Sequence, residues 1–228
     1  DTDLARPKFA IMNPEITYTL PDYQTQCGCA DIMMHTMERY FVLEDTMEIT
    51  DKIAQDVMKN VMKYAKILKK DPENYEARAE IMWCGSLSHN GLTGCGTCGG
   101  YWATHLIEHE LGGMFDVAHG AGLAAVWGSW ARYVMDEKPE RFAQFAVDVM
   151  GVEESDDVKS TALKGIEAVE EFYRMIEMPT NMKELGIDPT DEQIKDMAMK
   201  ATNHDTQQLG AFKKLSAKDL VEIYKTAK

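Results

Sequence analysis

The chain has 228 residues, enough for one large domain, and its 45% hydrophobic content is typical of a protein that folds around an apolar core. Its 38 acidic and 24 basic residues give a formal net charge of −14, which argues against a general binder of nucleic-acid backbones, since that role needs a basic face. No apolar run reaches the roughly 18 residues of a membrane-spanning helix, so we expect no membrane partner.

Most of the chain is predicted to be helical, because apolar residues recur with the helical period between capping residues. Thr50 is a plausible N-cap, and Pro72 is expected to open a helix. Strand signals are few and cover only FAIM, Phe9–Met12, and Ile16–Thr19. The predicted helices, in chain order, are Asp31–Phe41, Asp51–Lys69, Pro72 through Trp83, Trp102 to Gly112-Gly113, Gly122–Asp136, Glu140–Met150, Thr161–Met175, Thr190–Ala201 and Ala217–Thr226.

The chain is predicted to be a single all-α domain over residues 1–228, because no internal repeat or low-complexity linker interrupts it. It begins with Asp1 in what reads as an extended piece rather than with methionine, so we expect further sequence upstream. The five cysteines are an odd number, and no signal peptide is evident. This favours reduced thiols and a cytoplasmic location.

Asp31 and His35 are four residues apart on one predicted helix, and so are His105 and His109 on a later one. Side chains at this spacing project from the same helix face. A turn near Gly112-Gly113 would bring His119 back towards His105. A carboxylate with several imidazoles is a suitable ligand set for Fe²⁺, Zn²⁺, Ni²⁺ or Co²⁺. The spacing alone leaves an alternative open, in which the histidines are ordinary core residues and Asp31 is a helix cap.

Three stretches resemble the iron-containing (group III) alcohol dehydrogenases, and most closely their NADH-dependent butanol dehydrogenase branch. The strongest is ATHLIEHELGGMFDVAHGAGLAAVWGSWARYV, which contains three of the histidines. The stretch DLARPKFAIMNPEITYTLPDYQTQCGCADIMMHTMERYF is similar to the part of the family that carries the first two metal ligands, and NMKELGI, Asn181–Ile187, matches another recurring piece.

The resemblance implies a metal ion held by Asp31, His35, His105 and His119, with His109 near the nicotinamide and the substrate. Fe²⁺ is the expected ion, and Zn²⁺ or Ni²⁺ are alternatives. The family reaction is hydride transfer between NAD(P)H and an aldehyde, with the metal acting as a Lewis acid on the substrate oxygen. The family also has an N-terminal nucleotide-binding domain with a Gly-Gly-Gly-Ser motif. That motif is absent from this chain. We therefore expect only the C-terminal helical domain here, inactive by itself and forming homo-oligomers in the intact enzyme.

Two other functions remain open at this stage. One is a relative on the same scaffold, such as a glycerol dehydrogenase or dehydroquinate synthase. The other is a non-catalytic helical domain with a structural metal. Cys95 and Cys98 are read as small residues at a close helix contact. His89 and His204 are placed outside the metal set, although His89 could line the cleft.

Overall fold

A computed structural model of the chain describes residues 7–45 and 47–228. The start of the expected extended piece and of the second family-like stretch, residues 1–6, lies outside the described residues. Nine α-helices form the described part of the fold. They are α1 (Asp22–Tyr40), α2 (Glu48–Leu68), α3 (Tyr75–His89), α4 (Ala103–Phe115), α5 (His119–Val134), α6 (Pro139–Asp148), α7 (Val158–Met175), α8 (Asp191–Ala201) and α9 (Ala217–Ala227).

Helix α1 lies at the centre of the first half, against α2, α3 and α5, and α5 also packs on α4, α7 and α9. The helix α5 is apolar on nearly every face, as expected of a helix enclosed by others. Large buried side chains at this junction include Tyr40, Trp127 and Phe145. Burying an aromatic or aliphatic side chain of this size stabilises the fold by roughly 1.5–3 kcal/mol. None of the helices in the described residues is both long and apolar enough to cross a membrane.

Local sequence determines several of the helix ends. Helices α8 and α9 each begin with a capping box, formed by Thr190 with Gln193 and by Ser216 with Asp219. At α3, the Asn74 side chain accepts a hydrogen bond from the backbone N–H of Ala77. Side-chain caps of this kind typically contribute about 1 kcal/mol each.

The all-helical prediction is confirmed, but the two predicted strands are wrong. Phe9–Met12 has no regular structure, and Pro14–Thr17 is a 3₁₀ helix that starts at a proline. The only β pairing among the described residues is an isolated bridge between Leu209 and Leu215. Several helix limits differ from expectation. Pro72 does not open a helix, because α3 begins at Tyr75 with Asn74 as its N-cap, and α5 begins at His119 rather than at Gly122. Helix α1 begins earlier, at Asp22, α2 begins before Thr50, and α4 continues through Gly112-Gly113 to Phe115.

Candidate metal centre

The four residues predicted as metal ligands come from three helices that meet at one end of the bundle. Asp31 and His35 lie one turn apart on α1. His105 is in the first turn of α4, and His119 is the first residue of α5. The chain reverses between α4 and α5 because Asp116 adopts a left-handed backbone conformation, with φ of 54°, and ends α4. The reversal returns His119 to the face that carries His105.

Three imidazoles converge on one oxygen of Asp31. The Nε2 atoms of His35 and His105 each lie 3.6 Å from Asp31 Oδ1, and that of His119 lies 3.5 Å from the same atom. These separations are too long for good hydrogen bonds. They are close to the spacing of about 3.4 Å between two ligands of a tetrahedral ion held at about 2.1 Å.

Several polar atoms at this junction are buried without a hydrogen-bond partner. They include Asp31 Oδ1, His105 Nε2 and His35 Nδ1. Buried polar atoms in folded proteins are nearly always paired, so unpaired atoms that face one another need a reason. A divalent cation among them would satisfy the Asp31 oxygen and the His105 nitrogen together. The donor set of one carboxylate and several imidazoles therefore fits such an ion.

Two buried carboxylates orient His105 and His119 through their Nδ1 atoms. Glu108 Oε2 accepts a short hydrogen bond from His119 Nδ1, and Glu38 Oε1 lies 3.4 Å from His105 Nδ1. Glu38 also accepts hydrogen bonds from the backbone N–H groups of Thr104 (2.7 Å) and His105 (3.1 Å). A carboxylate on Nδ1 selects the tautomer whose Nε2 is free to bind a cation, as is usual for metal-binding histidines.

The ionisation of these groups is strongly coupled. Burial acts to raise the pKa of the Asp31 carboxyl group, but the facing imidazoles of His105 and His119 hold it well below its usual range. The nearby carboxylates of Asp31 and Glu108 raise the pKa of His119 to about 10. Burial lowers the pKa of His35 to about 3. Asp31 thus remains a carboxylate throughout the neutral pH range, as a metal ligand must.

Trp102 closes one side of the histidine cluster. Its ring meets the rings of His35 and His105 edge to face, with ring centroids 5.0 Å apart in both pairs. The guanidinium carbon of Arg39 lies over the Trp102 ring, 4.6 Å from the ring centroid. Trp102 has a left-handed backbone with φ of 50°, which is uncommon for a bulky residue and costs free energy. Two other aromatic residues of α4 and α5 do not line the cluster in this way, because Trp127 lies in the core and Phe115 is half-buried.

His109 lies one turn beyond His105 on α4 and is exposed. Its ring centroid is 5.5 Å from that of His119 and 6.3 Å from that of His105. No contact joins it to Asp31 among the described residues. Burial lowers the pKa of the His109 imidazole, which favours its neutral form. His109 is therefore beside the cluster, on its solvent side.

His89, the last residue of α3, was placed outside the metal set from the sequence, yet it lies beside Asp31. Its Nε2 lies 3.5 Å from Asp31 Oδ2, and its ring stacks on His35 with centroids 3.8 Å apart. The ligand atoms of Asp31, His35 and His89 all lie within 4.8 Å of one another, as do those of Asp31, His105 and His119. The sequence feature that could have indicated this position for His89 is its place at the end of a helix, next to a glycine-rich loop. His204 is exposed and makes no contact with this cluster in the described residues.

The helical core of a known family matches nearly all of this chain. The profile described as "Fe-containing alcohol dehydrogenase family, C-terminal" matches residues 25–228. NADH-dependent butanol dehydrogenase A of Clostridium acetobutylicum is 34% identical over 224 residues, which cover 98% of this chain and 57% of that protein. Probable NADH-dependent butanol dehydrogenase 1 of Bacillus subtilis is 35% identical over 225 residues, with 98% and 57% covered.

Solved structures agree with these matches. The crystal structure of NADH-dependent butanol dehydrogenase A from Thermotoga maritima is similar with a TM-score of 0.91 at 34% identity, and it covers 99% of this chain and 57% of that one. The aldehyde reductase of Escherichia coli has a TM-score of 0.91 at 30% identity, covering 98% of this chain and 58% of that one. The chain thus spans somewhat more than half the length of these relatives. It belongs to the Fe-containing alcohol dehydrogenase family and corresponds to the C-terminal domain of that family.

Proposed function

We propose that this chain is the metal-binding part of an NAD(P)H-dependent alcohol dehydrogenase that interconverts primary alcohols, of the butanol type, and their aldehydes. The observation that carries the proposal is the convergence of three imidazole nitrogens on Asp31 Oδ1 at 3.5–3.6 Å. Relatives named as NADH-dependent butanol dehydrogenases support the substrate class. The chain spans only 57% of such a relative, so the nucleotide-binding domain is assigned to the remainder of a longer protein.

In this proposal, the ligands of the ion are Asp31, His35, His105 and His119. A divalent cation there would polarise the substrate oxygen, while the nicotinamide cofactor supplies or accepts the hydride. Imidazole and carboxylate ligands suit Fe²⁺, and Zn²⁺ or Ni²⁺ would also bind if available. Glu38 and Glu108 fix the orientation of His105 and His119.

His109 is assigned to the substrate and cofactor side. It is exposed and lies beside His119 without reaching Asp31, so its ring nitrogens remain free for other partners. A neutral imidazole near the reacting oxygen accepts or returns a proton, and its face can contact the nicotinamide ring. His109 would therefore change the rate more than the metal content.

The openness of the cluster favours a catalytic role over a structural metal. The His119 side chain is 43% exposed, and His109 beside it is exposed as well. A structural ion is usually enclosed by its ligands, whereas a catalytic ion keeps a position open for water or substrate. A polyol dehydrogenase or synthase on the same scaffold is distinguished by its substrate. Homo-oligomer formation and a cytoplasmic location remain predictions.

The test uses the longer protein that contains this chain, with His105→Ala compared with His204→Asn. His204 is an exposed histidine with φ of 58°, a conformation that asparagine tolerates, so His204→Asn is a matched control. We expect His105→Ala to lose bound metal and NADH-linked reduction of butanal, and the control to retain both. Full metal content with unchanged turnover in His105→Ala would refute the assignment. Turnover of glycerol but not butanol would favour the polyol alternative.

A further inference from the structure

We infer that the Trp102 ring is the apolar wall against which the alkyl chain of the substrate packs, and that it sets the preference for chain length. This inference rests on the proposed function and deepens it, because it assigns a contact to the part of the substrate that does not react. Trp102 takes no part in proton or hydride transfer and acts only as a specificity-determining residue.

The Trp102 ring lies directly beside the proposed cation site. Its centroid is 5.0 Å from the ring centroid of His35 and 5.0 Å from that of His105. Both imidazoles direct Nε2 at Asp31 Oδ1, at 3.6 Å. An ion lies only about 2.1 Å from an imidazole nitrogen that binds it. The indole is therefore near enough to contact an alkyl chain of a few carbons that extends from an oxygen on the ion.

Trp102 differs in polarity from the other rings around this site. Within residues 7–45 and 47–228, every other ring that packs on the imidazoles of His35, His105 or His119 is itself an imidazole. Trp102 is half-buried, so part of its ring remains accessible. An aliphatic chain binds by burying apolar surface, and ligand sites supply that surface mainly with hydrophobic and aromatic side chains. Trp102 is the ring at this site that offers it.

The cofactor side and the Trp102 side of the site are separate. The rings of His109 and His119 pack on each other with centroids 5.5 Å apart, and Trp102 makes no ring contact with either of them in the described part of the chain. Hydride exchange at the carbon that carries the oxygen requires one face of that carbon to be open to the nicotinamide. The alkyl chain must then leave the same carbon in another direction. With His109 assigned to the nicotinamide, the Trp102 side is left for the chain.

Several contacts hold the Trp102 ring in place. The guanidinium carbon of Arg39 lies 4.6 Å from its centroid, and Arg39 Nη1 donates hydrogen bonds to the backbone carbonyl oxygens of His35 (3.0 Å) and Ser88 (2.8 Å). A Cβ at Gly100 would lie 3.4 Å from Trp102 Cε2. The left-handed backbone of Trp102, with φ of 50°, costs free energy, and such conformations cluster at ligand-binding sites. A wall fixed in advance loses little entropy when a ligand binds.

The test compares Trp102→Asn and Trp102→Phe in the metal-loaded longer protein that contains this chain. Asparagine tolerates a left-handed backbone and removes the apolar ring, whereas phenylalanine keeps a smaller one. The readout is the ratio of kcat/KM for hexanal to kcat/KM for ethanal, which does not change if part of a variant is unfolded or lacks metal. Trp102→Asn should lower this ratio at least about tenfold, because each methylene that loses its apolar contact costs about a factor of four. Trp102→Phe should lower it less.

The control is Trp83→Asn, because Trp83 is an exposed tryptophan on α3, and its ratio should equal that of the unsubstituted protein. A second readout needs no turnover: the dissociation constants of ethanol and hexanol for the Co²⁺-substituted protein, from its visible spectrum, should show the same loss of chain-length preference in Trp102→Asn.

The outcomes separate this inference from the proposed function. An unsubstituted ratio in Trp102→Asn would overturn the inference and leave the proposed function standing, as would lost metal with an unchanged ratio in the remaining activity. If Trp102→Asn does not fold, an unchanged ratio in Trp102→Phe overturns the inference and a lowered one supports it. If the unsubstituted protein reduces none of ethanal, butanal and hexanal with NADH or NADPH, the proposed function fails and the inference fails with it.

Discussion

Gly120 lies so close to Cys27 that a Cβ atom at position 120 would be 2.0 Å from the Cys27 carbonyl oxygen. The first turn of α5 thus rests directly on the backbone of α1, next to His119. We expect Gly120→Ala to force these helices apart, to destabilise the fold by about 1–3 kcal/mol and to weaken cation binding. The measurements are denaturant unfolding and Co²⁺ titration.

The matched control for this change is Gly28→Ala, because Gly28 lies on α1 and a Cβ there would meet no atom within 4 Å. Alanine is favoured over glycine in a helix, so this variant should gain about 0.5–1 kcal/mol. Equal effects of the two substitutions would contradict the close contact between α5 and α1.

Glu108 is expected to determine the affinity of the site without contacting the ion. It is buried on α4 and accepts a hydrogen bond from His119 Nδ1. Glu108→Gln should lower the affinity for Co²⁺ about 10- to 100-fold, because an amide oxygen is a weaker partner for the imidazole N–H than a carboxylate. Glu110→Gln on the same helix, where the side chain is half-buried, provides the control. Unchanged Co²⁺ affinity in Glu108→Gln would show that Glu108 does not determine the affinity of the site.

The cysteines should separate into two reactive and three protected residues. Cys95 and Cys98 are exposed, whereas Cys27, Cys29 and Cys84 are buried. Burial also raises the pKa of the Cys29 thiol to about 12 and that of Cys84 to about 11, which leaves little thiolate at neutral pH. Iodoacetamide at pH 7.5 should modify Cys95 and Cys98 first, as measured by peptide mass spectrometry. Equally fast modification of Cys29 would contradict the packing of α1.

The ionisation of Asp219 makes the stability of the fold depend on pH in the acid range. Its carboxylate accepts hydrogen bonds from Ser216 at the start of α9 and, at 2.6 Å, from Tyr133 on α5. Burial acts to raise the pKa of the Asp219 carboxyl group, but these hydrogen bonds hold it below its usual value. A depressed carboxyl pKa contributes stability above the unfolded value of about 3.9, and that stability is lost as the pH falls through the folded pKa.

We therefore expect Asp219→Asn to lower the free energy of unfolding by about 1 kcal/mol at pH 7, through loss of the charged cap. The difference from the unsubstituted chain should shrink as the pH falls below about 4. Chemical unfolding at a series of pH values measures both. A difference that stays constant down to pH 2 would exclude ionised Asp219 as its source.

The sequence predicted the parts of this site that depend on helical spacing. Asp31 with His35 and His105 with His109 are one turn apart, and the structure puts each pair on one helix face. The metal roles came from the family resemblance rather than from spacing. His89 escaped prediction because its approach to Asp31 depends on how α3 docks against α1, and no local pattern encodes that contact.

The helix limits were missed where packing outweighs local propensity. Glycine disfavours helices, yet α4 continues through Gly112 and Gly113. A Cβ at position 112 would lie 3.4 Å from Glu108 Oε1, so this glycine packs directly against the partner of His119. The expected close helix contact at Cys95 and Cys98 was also not found, since both lie in the loop before α4. Two of its glycines, Gly94 and Gly100, instead lie close to Arg39, whose guanidinium is over the Trp102 ring.

The proposed ligands come from three helices, α1, α4 and α5, that are separated along the chain, and their separation bears on the order of folding events. Asp31, His105 and His119 meet only when α1, α4 and α5 have all docked. We expect a cation to bind after these helices have docked, and hence late in folding. Interactions that are absent from the transition state slow unfolding and leave the folding rate almost unchanged. The bound ion would therefore lengthen the lifetime of the folded domain without speeding its folding.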